Sequence, residues 1–421
     1  MGQLNILLVN KFLYPKGGSE TYLFNIGEYL KKQGHNVDYF GLRHKNNLVG
    51  NCIDEYVSDI DTKNYTLKRF IGPLRLIYSF EAKRKIRKVI KATKPDIVHI
   101  NNYNFQLTPS ILYEMKKYNI PIVMTLHDFQ LVCPNHMLYM EHENRICEEC
   151  KDRNYQNCIK NKCIHNSKLK SILGAIEGFT YYKLGTYKKL IDYFIAPSRF
   201  LKDKMIEFGE DSNKIKVISN FSSGCGDFNT TVKNEYVLYF GRISIQKGIK
   251  TLIEACKRLP NIKFILAGSG ELEDELRKVE NIQFVGFKSG AELNKLIQGA
   301  LFSLCTSECY DNCPMSVIES QIQGTPVIGA AIGGIPELIA DGFDGLLYEA
   351  GNVQDLVQKI RYLYENKDIL REFSVRCREK VKELNSIENY YLELMGIYSL
   401  VLKKKYNQEQ KYQRGIAKLY E

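Results

Sequence analysis

The chain has 421 residues, 44% of them hydrophobic, and its 59 Lys and Arg residues against 48 Asp and Glu residues give a formal net charge of +11. A chain of this length is too long for one ordinary core, so two domains are expected, and its apolar content excludes a disordered or fibrous protein. The charge favours phosphate-bearing substrates, nucleic acid or an anionic membrane surface as partners, unless it reflects only a lysine-rich composition.

Targeting signals and cysteines bear on the compartment. The apolar run near the N-terminus is strand-like and has no cleavage pattern, and no run of about 18 apolar residues predicts a transmembrane helix. Without an export signal, the 12 cysteines are expected to be free thiols or metal ligands rather than disulfides. We therefore expect the protein in the cytoplasm.

Strand and helix patterns alternate in the first half of the chain. The predicted buried strands lie at residues 5–9, 36–40, 96–100, 122–126 and 191–196. Helical patterns separate them, including one that Gly34 ends and a strongly basic one at residues 80–92. This alternation predicts βαβ units and a parallel sheet.

The same alternation restarts after a polar segment at residues 220–234, which is rich in Gly, Ser and Thr and is the predicted linker. The second series of strands is predicted at residues 236–240, 264–267, 282–285, 301–305 and 326–328. We expect an N-terminal domain at 1–225, a C-terminal domain at 226–385 and a helix at 386–421 that crosses back to the first domain. Ligands of such sheets bind beyond the carboxyl ends of the strands.

Two loops of the second series carry residues suited to a nucleotide. After the strand at 236–240, Arg242 and Lys247 flank a loop that leads into a helix, and two cations beside helix amides suit a diphosphate. Two solvated basic residues in an ordinary loop are the alternative. In the segment 304–319, Asp311 follows a strand, Pro314 begins a helix, and the Glu319 carboxylate can accept hydrogen bonds from ribose hydroxyls.

The order of GRxxxxKG, LAGSGxxxxxL, PxxxIE, GTPVIG, GGxPE and DGxxGLL over residues 236–364 resembles glycosyltransferase family 4. That family comprises retaining enzymes of the GT-B architecture, so the resemblance implies two Rossmann-like doubly wound domains facing a cleft. It also implies a nucleotide-sugar donor and catalysis without a metal cofactor. One position departs from the family, which usually has two glutamates separated by seven residues. Asp311 stands at the first, so either Asp311 keeps the role or Glu308 takes it.

The resemblance assigns site roles residue by residue. It implies catalytic roles for His127, Asp311, Arg242 and Lys247, with the two cations on the leaving diphosphate. The residues expected to bind the donor are Gly17, Gly18, Gly241, Arg242, Lys247, Gly268, Val285, Gly286, Asp311, Asn312, Pro314, Met315 and Glu319. The Gly17–Gly18 loop is not a G-x-G-x-x-G fingerprint, so a dinucleotide cofactor is less favoured.

Two features of the N-terminal half, His127 and the segment 103–105, have a functional interpretation and a purely structural one. His127 follows a predicted strand, where it could instead be a hydrogen-bonded structural histidine. The segment Tyr103, Asn104 and Phe105 could line an acceptor site or simply pack.

A cysteine-bearing insert at about residues 133–165 interrupts the first domain. Its Cys147, Cys150, Cys158 and Cys163 have spacings that fit a structural zinc site, with reduced surface thiols as the alternative. The insert resembles a subset of bacterial polysaccharide glycosyltransferases, of the capsular or exopolysaccharide type.

These patterns predict a retaining glycosyltransferase of polysaccharide biosynthesis that moves a sugar from a nucleotide-sugar donor to a saccharide or lipid-linked acceptor. The alternatives are another GT-B enzyme, such as a nucleotide-sugar epimerase, and a basic nucleic-acid-binding protein, for which no base-reading motif is visible. The basic segments 83–91 and 403–405 favour peripheral contact with the inner, anionic face of the membrane, or are solvated faces.

Overall fold

The computed structural model describes residues 2–59, 75, 77–103, 105–221 and 234–417. Residues 222–233 of the predicted linker, the predicted boundary at 225/226, Asn104 and residues 418–421 lie outside the described residues.

The first half of the chain forms a six-stranded parallel sheet in the order β2-β1-β3-β4-β7-β8 and a small antiparallel hairpin, β5-β6. The strands are β1 (Asn5–Val9), β2 (Asn36–Phe40), β3 (Ile97–Ile100), β4 (Ile122–Thr125), β5 (Tyr139–Met140), β6 (Arg145–Ile146), β7 (Tyr193–Ala196) and β8 (Ile215–Val217). The helices are α1 (Gly18–Lys32), α2 (Phe80–Thr93), α3 (Ser110–Lys117), α4 (Gln156–Lys160), α5 (Lys168–Leu184), α6 (Thr186–Leu190) and α7 (Arg199–Glu207).

The second half forms another six-stranded parallel sheet, in the order β11-β10-β9-β12-β13-β14. Its strands are β9 (Val237–Arg242), β10 (Phe264–Ser269), β11 (Ile282–Gly286), β12 (Phe302–Cys305), β13 (Val327–Ala330) and β14 (Gly345–Tyr348). The remaining helices are α8 (Ile249–Lys257), α9 (Glu273–Leu276), α10 (Gly290–Gly299), α11 (Met315–Ile322), α12 (Ile335–Leu338), α13 (Val353–Glu365), α14 (Lys367–Leu384) and α15 (Ile387–Ala417). The predicted α/β class with two Rossmann-like domains is confirmed.

The last helix, α15, packs on the first sheet rather than on the second. Tyr390 and Tyr398 are buried there, where the Tyr22 and Tyr390 hydroxyls lie 2.5 Å apart. The Tyr398 hydroxyl is 2.8 Å from Nδ1 of His99, a residue of β3. Each large apolar side chain buried in this way contributes about 1.5–3 kcal/mol to folding, so α15 ties the end of the chain to the N-terminal domain.

The carboxyl ends of the strands position the loops singled out in the sequence. β1 leads to the Gly17–Gly18 loop and β4 to His127, whereas β9 leads to Arg242 and β12 to Asp311. Contacts between the halves bring these two edges together: the Asn312 side-chain amide donates to the backbone oxygen of His127 at 3.0 Å. A cleft between the sheets is therefore lined by both sets of loops.

Candidate active site

The loop after β9 is held against the loop after β12. Gly248 adopts a left-handed conformation with φ +69°, and a Cβ there would lie 1.9 Å from the backbone oxygen of Thr306, so a side chain has no space. The Thr306 hydroxyl donates to the backbone oxygen of Lys247 at 2.7 Å. This close packing sets Lys247, the last residue of a 3-10 turn, beside the β12 loop.

Lys247 forms an ion pair with Asp311 in the cleft. The lysine Nζ is 2.5 Å from Asp311 Oδ2, which also accepts a hydrogen bond from the Ser307 hydroxyl at 2.7 Å. Desolvation disfavours the charged lysine, but the attraction of Asp311 outweighs it and raises the Lys247 pKa above its usual value. Lys247 is therefore a fixed positive charge at neutral pH.

Glu308 is engaged elsewhere. Its Oε1 accepts from the Thr251 hydroxyl at 2.5 Å, and its Oε2 accepts from the Asn144 side-chain amide at 3.3 Å. These contacts direct its carboxylate toward α8 and the cysteine insert. The geometry therefore favours Asp311 over Glu308 as the carboxylate beside the cations.

Arg242 lies at the exposed end of β9, where the Tyr239 hydroxyl donates to its backbone oxygen at 2.8 Å. Its guanidinium makes no hydrogen bond or ion pair with any residue that the structure describes. Beside it, the Ser244 hydroxyl is buried and has no partner among the described residues. Both groups can donate to a bound phosphate, and sequence inspection missed Ser244 although it lies between the two predicted cations.

Glu319 lies in α11, half-buried, with no hydrogen bond or ion pair to the described part of the chain. Desolvation raises its pKa to about 7. Hydroxyl donors from a ligand would compensate for that desolvation and favour the ionised form. The site fits the ribose role that the resemblance implies.

The Gly333–Gly334 turn packs behind the loop after β12 (residues 306–314), which the sequence predicts to bind the donor and which we call the donor loop. The Gly334 amide donates to the backbone oxygen of Asp311 at 2.7 Å. A Cβ at Gly334 would lie 1.9 Å from the backbone oxygen of Asn312. The absence of side chains therefore lets this turn fix the backbone of Asp311 and Asn312.

His127 occupies the N-terminal side of the cleft, half-buried. Its Nε2 lies 3.0 Å from Asn101 Oδ1, and its ring packs edge-on against Tyr22 with 5.2 Å between centroids. Desolvation lowers its pKa to about 4. The imidazole is therefore neutral at physiological pH and keeps one acceptor nitrogen for a hydroxyl.

The Gly17–Gly18 loop lies directly across the cleft from α11. A Cβ at Gly18 would be 3.5 Å from Cγ of Met315. Below the loop, the buried Glu20 carboxylate accepts from the Asn10 amide and the Ser19 hydroxyl, both at 3.0 Å. Glu20 therefore supports the start of α1, a role that the sequence did not reveal.

The other predicted donor contacts follow the same sheet edge. Gly268 and Gly241 are register partners in β10 and β9, and a Cβ at Gly268 would lie 1.8 Å from the Gly241 oxygen. Pro314 immediately precedes α11. Val285 and Gly286 end β11, two strands from β9, and are farther from the Lys247–Asp311 pair in strand order. No ligand contact tests these assignments, which stay predictions.

The carboxyl edge of the first sheet combines aromatic and basic groups. Phe105 stacks on His136 with 4.8 Å between ring centroids, and Lys11 Nζ lies 5.6 Å from the Phe105 ring. Desolvation, with repulsion from Lys16, lowers the Lys11 pKa to about 8. Tyr103 is instead buried in the core, as the packing alternative predicts.

The cysteine insert forms a small core of its own. Cys150 and Cys158 are buried with Tyr155 and Ala175, and Cys163 packs at its edge. Among the described residues all cysteines are free, and no group of three or more His, Cys, Asp or Glu side chains is arranged to hold a metal ion. The zinc site stays a prediction from cysteine spacing.

The insert also contacts the donor loop. The Tyr310 hydroxyl donates to Glu148 Oε1 at 2.7 Å, and Lys204 pairs with the same carboxylate at 2.7 Å. The Tyr310 ring packs on Phe200, with centroids 4.8 Å apart. The insert therefore holds Tyr310, the residue next to Asp311. No pattern in the sequence indicated this contact between distant loops.

Two family models match the chain in succession. The model described as Glycosyltransferase Family 4 matches residues 16–221, and the one described as Glycosyl transferases group 1 matches residues 227–384. None of the helices in the described residues is long and apolar enough to cross a membrane.

Similar proteins include an uncharacterized 42.6 kDa protein in the cps region of Klebsiella pneumoniae, 24% identical over 80% of this chain and 87% of the relative. The lipopolysaccharide core biosynthesis glycosyltransferase LpsE of Rhizobium meliloti is 25% identical over 52% of this chain and 70% of its own. Among solved structures, a glycosyltransferase from Rickettsia africae has a TM-score of 0.67 at 19% identity. The match covers 96% of this chain and 100% of the Rickettsia africae chain. HepE of Anabaena, solved with UDP and glucose, has a TM-score of 0.67 at 17% identity, covering 94% and 100% of the two chains.

Proposed function

Since this chain belongs to glycosyltransferase family 4 and has the GT-B architecture, we propose that it transfers a sugar from a nucleotide-sugar donor to an acceptor with retention of anomeric configuration. The acceptor is a saccharide or lipid-linked saccharide in polysaccharide biosynthesis. The relatives from a cps region and from lipopolysaccharide core biosynthesis support this pathway class, and the neighbour solved with UDP and glucose supports the donor class.

One observation carries the proposal: a paired cation, Lys247, and an unpaired one, Arg242, lie on the same loop at the carboxyl edge of the second sheet. Across the cleft, the backbone oxygen of His127 is bound by Asn312, the neighbour of Asp311. A donor diphosphate on the two cations would thus direct its sugar toward a neutral imidazole.

The proposed chemistry follows from this charge distribution. As the bond between the anomeric carbon and the diphosphate oxygen breaks, negative charge grows on the diphosphate and positive charge on the sugar. Lys247 is already oriented by Asp311, so it stabilises the leaving group without reorganising, and the free Arg242 guanidinium adds a bidentate contact. The anomeric carbon then bonds to the acceptor hydroxyl oxygen on the face that the diphosphate leaves, and the hydroxyl proton passes to the departing diphosphate oxygen.

The remaining roles are assigned by chemistry. Glu319 accepts from both ribose hydroxyls, and Asp311 holds Lys247 in place while facing the transferred sugar. His127 accepts from a sugar hydroxyl through its unprotonated nitrogen. We further propose that catalysis needs no metal, as the family resemblance implies, and that the enzyme works in the cytoplasm, where it would draw on nucleotide sugars.

Ligand-dependent unfolding tests the proposed binding site. A matching UDP- or GDP-sugar at about 100 times its dissociation constant should stabilise the fold by about 2.7 kcal/mol and raise the Tm. Single-stranded oligonucleotide should not. A rise in Tm with oligonucleotide alone would favour the nucleic-acid alternative, and conversion of the donor to an isomer without acceptor would favour an epimerase.

A further inference from the structure

Helix α5 turns its large apolar side chains outward. Its buried residues are mostly small: Ser171, Gly174, Ala175 and Tyr181. Its exposed apolar residues are large: Leu169, Ile176, Phe179, Tyr182 and Leu184. Leu169 is 66% exposed and Phe179 is 51% exposed. A surface helix normally presents its apolar stripe to the core, so this helix has a second apolar face with nothing packed on it in the described part of the chain.

Glycines fix the orientation of α5 against the cysteine insert. A Cβ at Gly174 would lie 2.4 Å from Cδ1 of Ile164, and one at Gly178 would lie 3.3 Å from the ring of Tyr155. The helix can approach the insert this closely only through its glycine side. Rotation that buried Ile176 or Phe179 would therefore create a clash, and the outward face is a fixed surface.

The outward face is basic at both ends. Lys168 and Lys183 are exposed, and neither forms an ion pair with a residue that the structure describes. The single carboxylate of the helix, Glu177, is half-buried, and desolvation raises its pKa to about 7. The face therefore combines apolar bulk with positive charge and carries little negative charge.

The basic helix α2, which the sequence suggested for membrane contact, is less available. Lys85, Arg87 and Lys88 pair with Glu81, Glu114 and Glu55 respectively. Its first residue, Phe80, is nevertheless 77% exposed. The Tyr181 hydroxyl, on the buried side of α5, donates to the backbone oxygen of Ile77, three residues before Phe80.

We propose that the outward face of α5 rests on an anionic lipid bilayer. Its large apolar side chains enter the boundary between headgroups and acyl chains, and its lysines contact anionic headgroups. Helices that combine an apolar face with flanking lysines lie in the membrane interface in this way. The proposal concerns membrane attachment, so it stands or falls independently of the glycosyl-transfer reaction.

The placement of α5 connects this surface to the acceptor side of the cleft. Gly174 is packed near the backbone oxygen of Pro134, and the chain runs from there back through residues 128–133 to His127. A protein seated on α5 would therefore be attached through the domain that carries His127, which suits an acceptor anchored in lipid.

Vesicle sedimentation with the full chain tests the proposal. The wild type should co-sediment with phosphatidylglycerol-containing vesicles, less with pure phosphatidylcholine, and less as salt is raised. Ile176→Glu and Phe179→Glu should each lower the partition coefficient at least about tenfold. Lys168→Gln and Lys183→Gln should each lower it about fivefold, the effect of one basic residue near an anionic surface.

Leu392→Glu is the matched control, because Leu392 is 67% exposed on α15 and should leave vesicle binding unchanged. Far-ultraviolet circular dichroism and sedimentation velocity would show that each variant stays folded and monomeric. The proposal is overturned if Ile176→Glu and Phe179→Glu bind vesicles like the wild type. It is also overturned if the wild type is a dimer that these variants dissociate, since the face would then contact a second copy.

Discussion

At the residue scale, the cleft contains two cations in different states. Lys247 is held by Asp311, whereas Arg242 has no partner in the described part of the chain. A preformed ion pair fixes the position of one charge, and the free guanidinium can form a bidentate contact with phosphate. The sequence indicated both cations from their loop, but it could not choose between Glu308 and Asp311. That choice depends on Thr251 and Asn144, which bind Glu308 from two other elements.

Replacing Arg242 tests its role in leaving-group stabilisation. Arg242→Ala should lower the transfer rate about 10²–10³-fold, because one charged donor to the developing negative charge is lost. The rate would be measured at saturating donor. Lys250→Ala is the matched control, since Lys250 is exposed on the neighbouring helix, and its rate should stay within about twofold of the wild type. Equal rates for Arg242→Ala and the wild type would remove Arg242 from the diphosphate site.

At the element scale, two connections organise the molecule. The cysteine insert touches the donor loop through Tyr310 and Glu148, and α15 returns to the first sheet through Tyr398. The sequence predicts that the last helix crosses back to the first domain, but the residue pairs in both contacts were not predictable from local patterns, because each pair joins segments far apart in the chain. The short strand β8 was missed for a local reason: its sequence, Ile-Lys-Val, lies at the sheet edge and lacks a continuous apolar run.

Tyr310→Phe tests whether the insert positions the donor loop. The substitution removes the hydrogen bond to Glu148 but keeps the ring that packs on Phe200. A lost hydrogen bond to a charged group costs about 1.5–3 kcal/mol, so we expect a roughly tenfold lower kcat/KM for the donor.

Tyr236→Phe provides the comparison for that experiment, because its hydroxyl donates to the backbone oxygen of Leu296 on the second domain and lies in no loop of the site. It should lower stability but not kcat/KM. A double-mutant cycle of Tyr310→Phe and Glu148→Gln should show that the losses in kcat/KM from the two substitutions are coupled. Independent, additive effects would mean that the Tyr310–Glu148 contact does not position the loop.

His99 of β3 is hydrogen-bonded to β4 and α15, and this contact makes the stability of the fold sensitive to acid. It lies fully buried, 2.8 Å from both the Tyr398 and Thr125 hydroxyls, and desolvation lowers its pKa from 6.5 to about 3. The unfolded chain binds this proton more tightly, so the stability from neutral His99 is complete above pH 6.5 and decreases as the pH falls toward 3. The loss has a limiting slope of about 1.4 kcal/mol per pH unit.

Urea unfolding at several pH values measures this contribution. His99→Gln keeps a side chain that can hydrogen-bond but removes the titration. Its free energy of unfolding should therefore vary less than that of the wild type between pH 6.5 and 4. Identical pH profiles for the two proteins would exclude His99 as a source of acid sensitivity.

The packing of α15 is tested by a pair of leucines on that helix. Leu394 is fully buried, whereas Leu392 is 67% exposed. Leu394→Ala should lower the free energy of unfolding by about 2–5 kcal/mol, the range for a buried leucine replaced by alanine. Leu392→Ala should change it by less than about 0.5 kcal/mol. Comparable losses in denaturant unfolding would contradict the docking of α15 on the first sheet.

At the scale of the whole molecule, two parallel sheets face one another with their loops in contact. Glu337 of α12 accepts hydrogen bonds from the backbone amides of Arg199 and Phe200 at 2.8 and 2.7 Å, and so caps α7 of the first domain. The apolar strands predicted both sheets because βαβ alternation is a local pattern. The way the domains face each other depends on single contacts such as that between Glu337 and the start of α7. The hydrophobic periodicity of the sequence does not predict such contacts.

The most direct test of the central claim is to identify the product of a reaction with a panel of nucleotide sugars and a lipid-linked or oligosaccharide acceptor. We predict that one donor releases its nucleoside diphosphate only when acceptor is present. The acceptor should gain the mass of one sugar, attached with the anomeric configuration of the donor, as nuclear magnetic resonance would show. An inverted linkage would contradict the retaining mechanism. Donor isomerisation without acceptor, or no transfer from any donor that stabilises the fold, would contradict glycosyl transfer itself.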